Sequence, residues 1–207
     1  MKKILNLGVT FTLLILVIGF LGCAGEPESP PAPPFEEDMS DDGTTGGETT
    51  VIPGEDATPI SSDADILSQE ALNLFNQRLF DEAIATYDMA IEVDPNHIEA
   101  WTGKGVVFSQ ILEFDEAIYC FDTAIELDPN YSDAWAGKGF TIHIRNIMEG
   151  SENFEEALEY FDKTIELDPN NPNGWAGKGM VLEALGRSQE AQEAFERAQE
   201  LGYQFEI

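Results

Sequence analysis

Positive charge is what this chain has least of. Its 207 residues include 10 Lys plus Arg against 40 Asp plus Glu, a formal net charge of −30. A phosphate-binding surface needs clustered cations, so nucleic acid is excluded as a partner, and so is a soluble basic patch that binds membranes. Cysteine and histidine are scarce too, with two of each. Cys23, His97, Cys120 and His143 are scattered, whereas a structural zinc site gathers four ligands at motif spacing. A disulfide framework is excluded for the same reason. Neither histidine has a Ser or Cys partner at motif spacing, and Cys120, between Tyr119 and Phe121, reads as a small core thiol. The chain is therefore read as a non-enzyme with no cofactor and no metal.

Lys2 and Lys3 are the only basic residues before Arg78. They precede an apolar run from Ile4 to Leu21, the pattern of an export signal, so residues 1–22 are assigned to a signal peptide. The cationic end stays in the cytoplasm, which sends the later residues across the membrane. Phe20-Leu21-Gly22-Cys23 resembles the lipobox of prokaryotic lipoproteins, with Phe20 where Leu is commonest and Leu21 where a small residue is commonest. That resemblance implies lipid on Cys23 and a lipid-anchored protein of the cell membrane facing outside the cytoplasm. One acyl chain binds only marginally, so stable anchoring needs two on Cys23, again as the resemblance implies. The run is about 18 residues against the roughly 20 that span a bilayer, so an uncleaved helical anchor is the alternative. Residues 23–63 turn to Pro, Gly, Thr and acid, as in Pro30-Pro31-Ala32-Pro33-Pro34 and Gly43-Thr44-Thr45-Gly46-Gly47. Too few apolar residues offset the ordering entropy, and this segment reads as a disordered linker. Asp38, Asp41 and Asp42 lack the spacing of a calcium loop.

The remainder repeats itself. Trp101-Thr102-Gly103-Lys104-Gly105 recurs as Trp135-Ala136-Gly137-Lys138-Gly139 and as Trp175-Ala176-Gly177-Lys178-Gly179. Asp94-Pro95-Asn96 recurs as Asp128-Pro129-Asn130 and Asp168-Pro169-Asn170. Trp101, Gly105 and Phe108 fall at i, i+4 and i+7, the stripe of a packed helix, and Ala117, Phe121 and Ala124 form a second stripe. The prolines stop each second helix. A 34-residue period of two helical patterns closed by Asp-Pro-Asn resembles the tetratricopeptide repeat. The resemblance implies an all-α fold, a right-handed superhelix of antiparallel helix pairs, in residues 64–207. Its four units are 64–97, 98–131, 132–171 and 172–205. Trp101, Gly105, Ala117, Pro129, Trp135, Gly139, Ala157, Pro169, Trp175, Gly179 and Ala191 are its structural positions. Leu67 and Ala71 replace Trp and Gly in the first unit, as expected of a terminal repeat.

Stacked helix pairs make a concave surface lined by first helices. The groove positions that the resemblance implies are Ser68, Leu72, Asn76, Thr102, Val106, Ser109, Gln110, Ala136, Phe140, His143, Ala176, Met180 and Glu183. The family's best-known peptide mode clamps a C-terminal carboxylate with Lys and Arg, but the corresponding positions here include Ser68, Leu72, Gly103, Asp133 and Gly137. The expected partner is another protein or peptide, basic, with apolar anchors. A membrane-anchored scaffold for protein interactions is the leading function. A pilotin or envelope-assembly lipoprotein, or an accessory subunit of an enzyme or transporter complex, is the alternative. Lys104, Lys138 and Lys178 recur in register and read as snorkelling stems with paired charges. Six extra residues in the third unit extend its first helix to Met148, with Gly150 as the stop; they form either a plain insertion or a lip with Ile144, Ile147 and Met148 on its apolar side. Tyr203, Phe205 and Ile207 are read as covering the last unit, with an open end face as the other reading. Asn130-Tyr131-Ser132 is an N-glycosylation pattern, although turn chemistry also explains Asn130.

Overall fold

The chain turns at Asp-Pro-Asn for a local reason. In the computed structural model, which describes residues 60–204, Asp94, Asp128 and Asp168 take extended backbone, as a residue before proline must. Each aspartate Oδ1 accepts from the backbone N–H of the asparagine two residues on, at 3.0, 2.9 and 2.9 Å. The proline carbonyl then accepts from the indole Nε1 of Trp101, Trp135 or Trp175, at 3.0, 3.0 and 2.9 Å. Each tryptophan is thereby latched to the turn that ends the preceding unit.

Among the described residues the structure is helical throughout. The helices are α1 (Ile60–Asn76), α2 (Phe80–Val93), α3 (Ile98–Gln110), α4 (Phe114–Leu127), α5 (Ser132–Glu149), α6 (Glu155–Leu167), α7 (Pro172–Ala184) and α8 (Ser188–Glu200). They pack as four pairs, each second helix also meeting the first helix of the next pair. The odd-numbered helices additionally touch one another along the stack, and the even-numbered ones do so far less. That inequality makes α1, α3, α5 and α7 the inner, concave layer. Helix α1 starts at Ile60, inside the segment that composition assigns to the linker. Ser61-Ser62-Asp63 carries no apolar periodicity, so the pattern alone hides this first turn.

The turn inside each pair is also uniform. Arg78, Leu112, Gly150 and Gly186 all have positive φ, at 62, 67, 70 and 74°. In each case the next residue's N–H bonds back to a carbonyl five positions earlier: Leu79 to Leu74, Glu113 to Phe108, Ser151 to Asn146 and Arg187 to Leu182, at 2.8 to 3.0 Å. This is the Schellman closure, which favours glycine at the left-handed position. Leu112 occupies it with a side chain that is 36% exposed.

Between pairs, glycine sets the spacing. A Cβ on Gly137 would lie 2.3 Å from the Phe121 ring, and one on Gly105 would lie 3.0 Å from the same ring. Phe161 is held in the same way by Gly139 at 3.0 Å and Gly177 at 2.1 Å, and Tyr87 meets Gly103 at 2.4 Å. The first glycine of each Trp-x-Gly-Lys-Gly thus receives the aromatic ring of the preceding pair, and the second receives the ring of its own. Ala83, Ala90, Ala117, Ala124 and Ala157 are fully buried beside these rings. Lys104, Lys138 and Lys178 pair with Asp88, Asp122 and Asp162 of the preceding pair, the last at 2.6 Å, so the paired-stem reading of these lysines holds. Burial works against the Lys138 charge, but hydrogen bonds with Asp122 and Tyr160 outweigh it and hold its pKa above the ordinary lysine value.

Two substitutions here should have opposite signs. A helical Gly→Ala change ordinarily stabilises by about 1 kcal/mol. At Gly137 the methyl has no room against Phe121, and Gly137→Ala should lower stability by about 1–3 kcal/mol. Leu112→Gly relieves left-handed strain of roughly 1–2 kcal/mol and gives back part of it as unfolded-chain entropy. A rise in melting temperature of about 2–4 °C is expected, read by circular dichroism.

Candidate interaction surface

The inner helices carry the groove positions, and the structure sorts them by depth. Thr102, Val106, Ser109, Gln110, Ala136, Phe140, His143 and Ala176 are buried. Ser68, Leu72 and Met180 are half-buried, while Asn76 and Glu183 are exposed. Phe140 stacks edge-on against Phe161, with ring centroids 4.8 Å apart, and Met180 packs beside it. Phe140 therefore belongs largely to the core of the third unit, and Met180 packs against that core from the fourth. Ile144 is 8% exposed, so it does not form the apolar side of a lip; Met148, at 55%, does project. Helix α5 runs to Glu149 and stops at Gly150, as its sequence implies. Tyr203 is buried against Trp175, Ala176, Met180 and Ala198, which covers this part of the last pair; Phe205 and Ile207 lie outside the described residues.

Two polar regions lie along the inner layer. The first starts from the residues that cap the inner helices. His97 precedes α3, and its Nδ1 accepts from the Ala100 N–H at 3.1 Å. Its Nε2 therefore carries the proton and donates to Asp65 on α1 at 2.8 Å. Glu99 lies 3.5 Å from Nδ1, but that nitrogen is already accepting, so this is proximity and not an ion pair. Asn171 repeats the arrangement before α7, donating to Asp133 at 2.7 Å and to Ser132 at 3.0 Å. Tyr131 caps α5, and burial, then Asp133 and Glu99, push its phenol above the ordinary value. These contacts tie the start of one inner helix to that of its neighbour.

They also frame a cleft of about 370 Å³ over α1, α3 and the start of α5. Its acidic members are Asp65, Glu99 and Asp133, and its lining includes no lysine or arginine. Ser68 and Thr102 line it as well, and their hydroxyl oxygens are buried without a hydrogen-bond partner. The acids stand in the sequence at a spacing of 34 residues, from 65 to 99 to 133. The Trp and Pro positions declare the same period so strongly that this polar row and its His97 cap do not show beside them.

The second region is deeper. Thr141 donates to the Gly137 carbonyl at 2.8 Å, which leaves the Ser109 hydroxyl to donate across α3 and α5 to Thr141 at 3.1 Å. Asn146 donates to the Asn153 carbonyl at 2.6 Å and fastens the extended helix to the following loop. Gln110 Oε1 and His143 Nδ1 are buried without partners. Burial lowers the His143 pKa to about 4, and the ring packs on Phe154 with centroids 5.7 Å apart. Cys120 is 1% exposed, and burial pushes its thiol up to about 12, which leaves it unreactive. Among the described residues no group of His, Cys, Asp and Glu side chains is placed to hold a metal ion, and no helix is long and apolar enough to cross a membrane. Cys23 and the apolar run before it lie outside the described residues.

Comparison with known proteins agrees with this architecture. Tetratricopeptide repeat family models match residues 98–131 and 160–193. Among solved structures, a chain of MamA from Desulfovibrio magneticus RS-1 is similar at 23% identity and TM-score 0.54, over 67% of this chain and 75% of that one. Another MamA crystal structure is similar at 24% identity and TM-score 0.53, over 67% and 78%. The first tetratricopeptide repeat domain of Spaghetti (RPAP3), solved with the HSP90 peptide SRMEEVD, is similar at 25% identity and TM-score 0.52, over 61% and 95%. No curated protein matches the chain. The chain carries tetratricopeptide repeats at these two places, and its described residues share the helical-repeat fold of these structures.

The buried histidine gives a pH signature. A His held at about 4 when folded and near 6.5 when unfolded contributes stability that is complete above the unfolded value. That contribution is lost as pH falls towards the folded value, a difference of about 3 kcal/mol across the window. His143→Gln should flatten the fall in denaturation midpoint between roughly pH 6.5 and 4.5, measured by urea titration against the parent chain.

Proposed function

We propose that this tetratricopeptide-repeat protein is a lipid-anchored scaffold outside the cytoplasmic membrane that holds a basic protein or peptide on its inner helical face. The observation that carries the binding part is the acidic cleft on that face, whose lining includes no lysine or arginine. The repeat architecture supports a protein partner, and the RPAP3 domain shows a peptide bound to a domain of the same fold. The peptide there ends in acidic residues; the charge on this inner face favours the opposite sign. With 40 acidic residues against 10 basic ones, long-range attraction steers cations towards the chain. The anchoring part is supported by Lys2 and Lys3, the apolar run to Leu21 and the Phe20-Leu21-Gly22-Cys23 sequence. About 40 linker residues would then stand the repeats some 35 Å off the bilayer by flexible-chain scaling.

Lipid labelling of cells tests the anchor. Cys23→Ala should abolish incorporation and leave an unprocessed chain; persistent labelling would refute the assignment, and a full-length mass in the parent protein would favour a helical anchor. Protease added to spheroplasts should digest the repeats, and protection would refute the outward orientation. For the binding face, capture from detergent-solubilised membranes by the full chain should be lost when the exposed Asn76 and Glu183 are both replaced by lysine. Added salt should slow association several-fold while dissociation changes little, because screening shortens the Debye length to roughly 3 Å at 1 M and leaves apolar burial intact.

A further inference from the structure

The cleft over α1, α3 and the start of α5 combines features that packing does not explain together. Asp65, Glu99 and Asp133 recur one per unit, and the fourth unit has Asn173 in that register. The helix dipole accounts for acids near inner-helix starts. It does not account for Thr102, which is 7% exposed, lines the cleft and has an Oγ1 that bonds to no protein group. Ser68 Oγ, one unit earlier, is in the same condition. The carboxylates do have neutral donors, His97 Nε2 on Asp65 and Asn171 on Asp133, but a neutral donor does not cancel charge. What this cleft asks for is a cation with several donors directed at acceptors on more than one helix. Its wall also includes Leu72 and Val106, with the buried Tyr87 ring behind them.

We propose that this cleft is the anchor pocket for an arginine side chain of the partner. A guanidinium presents five N–H donors in a fixed plane, enough to reach carboxylates and the two orphan hydroxyl oxygens together, while a lysine ammonium is a compact point charge. The methylene stem lies along Leu72 and Val106. The cleft thus has the reverse polarity of a pocket that clamps a terminal carboxylate with cations. The inference rests on the inner face being the binding face, and it names the group that the face selects.

The test uses the full-length protein in detergent, 15N-labelled, titrated by NMR to millimolar concentrations with the end-blocked peptide Ac-Ala-Leu-Arg-Leu-Ala-NH2. The same peptide with citrulline or lysine at its centre provides the comparison. The arginine peptide should shift resonances of the first two units, citrulline should bind roughly ten-fold or more weakly, and lysine should fall between. Glu99→Gln and Thr102→Val should each weaken arginine binding several-fold. Glu99 is an exposed side chain, and unchanged resonances outside the cleft in Glu99→Gln separate an effect on binding from one on folding. Equal binding of arginine and citrulline, absence of arginine binding, or parent-like affinity in the double variant would each overturn the pocket. Partner capture that is lost on lysine substitution at Asn76 and Glu183, yet unchanged in Glu99→Gln plus Thr102→Val, overturns the arginine pocket and leaves the inner-face reading standing. Capture indifferent to both sets overturns both.

Discussion

One contact sets the geometry of the stack: an aromatic ring on each second helix pressed between glycines on two first helices. Phe121 sits between Gly105 and Gly137, and Phe161 between Gly139 and Gly177; a Cβ is tight at Gly105 and Gly139 and has no room at Gly137 and Gly177. Because each ring belongs to one unit and is gripped by two, the core runs continuously through the stack. Each unit depends on its neighbours for burial. Phe195, on α8, meets Gly179 of its own unit and is half-buried, and Tyr203 folds back over Trp175 and Ala176 nearby.

The ring contact places the inner helices close together, and the polar contacts of the inner layer depend on that approach. With glycine at the contact, α3 and α5 come closely enough for Ser109 to bond to Thr141, and α1 and α3 closely enough for His97 to reach Asp65. Close approach is also what buries much of the expected groove. Ala136 and Ala176 are fully buried and Phe140 nearly so, which leaves little of them for a partner. The polar side chains of the inner layer therefore gather at the starts of these helices, where caps replace packed side chains.

Much of this was legible in the sequence because it is periodic. Trp101, Gly105, Pro95 and their equivalents give unit number and helix breaks directly, and Gly150 correctly stops α5. Two kinds of feature escaped. Left-handed turns at Arg78 and Leu112 carry no glycine, so composition cannot flag them; only their register with Gly186 does. Depth was the other. Spacing alone assigns Ile144 and His143 to a helix face, but it does not say that the longer α5 is sealed by the loop at Phe154 and Asn153, which buries both. The acids at 65, 99 and 133 share the 34-residue period, yet acids are so common in this chain that their register does not stand out.

The scarcity of cations then acquires a structural meaning. Lys104, Lys138 and Lys178 are held between units by Asp88, Asp122 and Asp162, with stems near aromatic rings, and Arg187 and Arg197 pair with Glu190 and Glu200 on their own helix. Such pairs are worth little individually, at most about 1 kcal/mol each when exposed. Their consequence is spatial: the lysines of the repeated motif point away from the inner cleft and are neutralised where units join. The acids at the inner-helix starts therefore keep their charge facing the concave side. The same Trp-x-Gly-Lys-Gly motif that builds the stack, by directing its lysine between units, leaves the inner cleft with acids and no lysine or arginine in its lining.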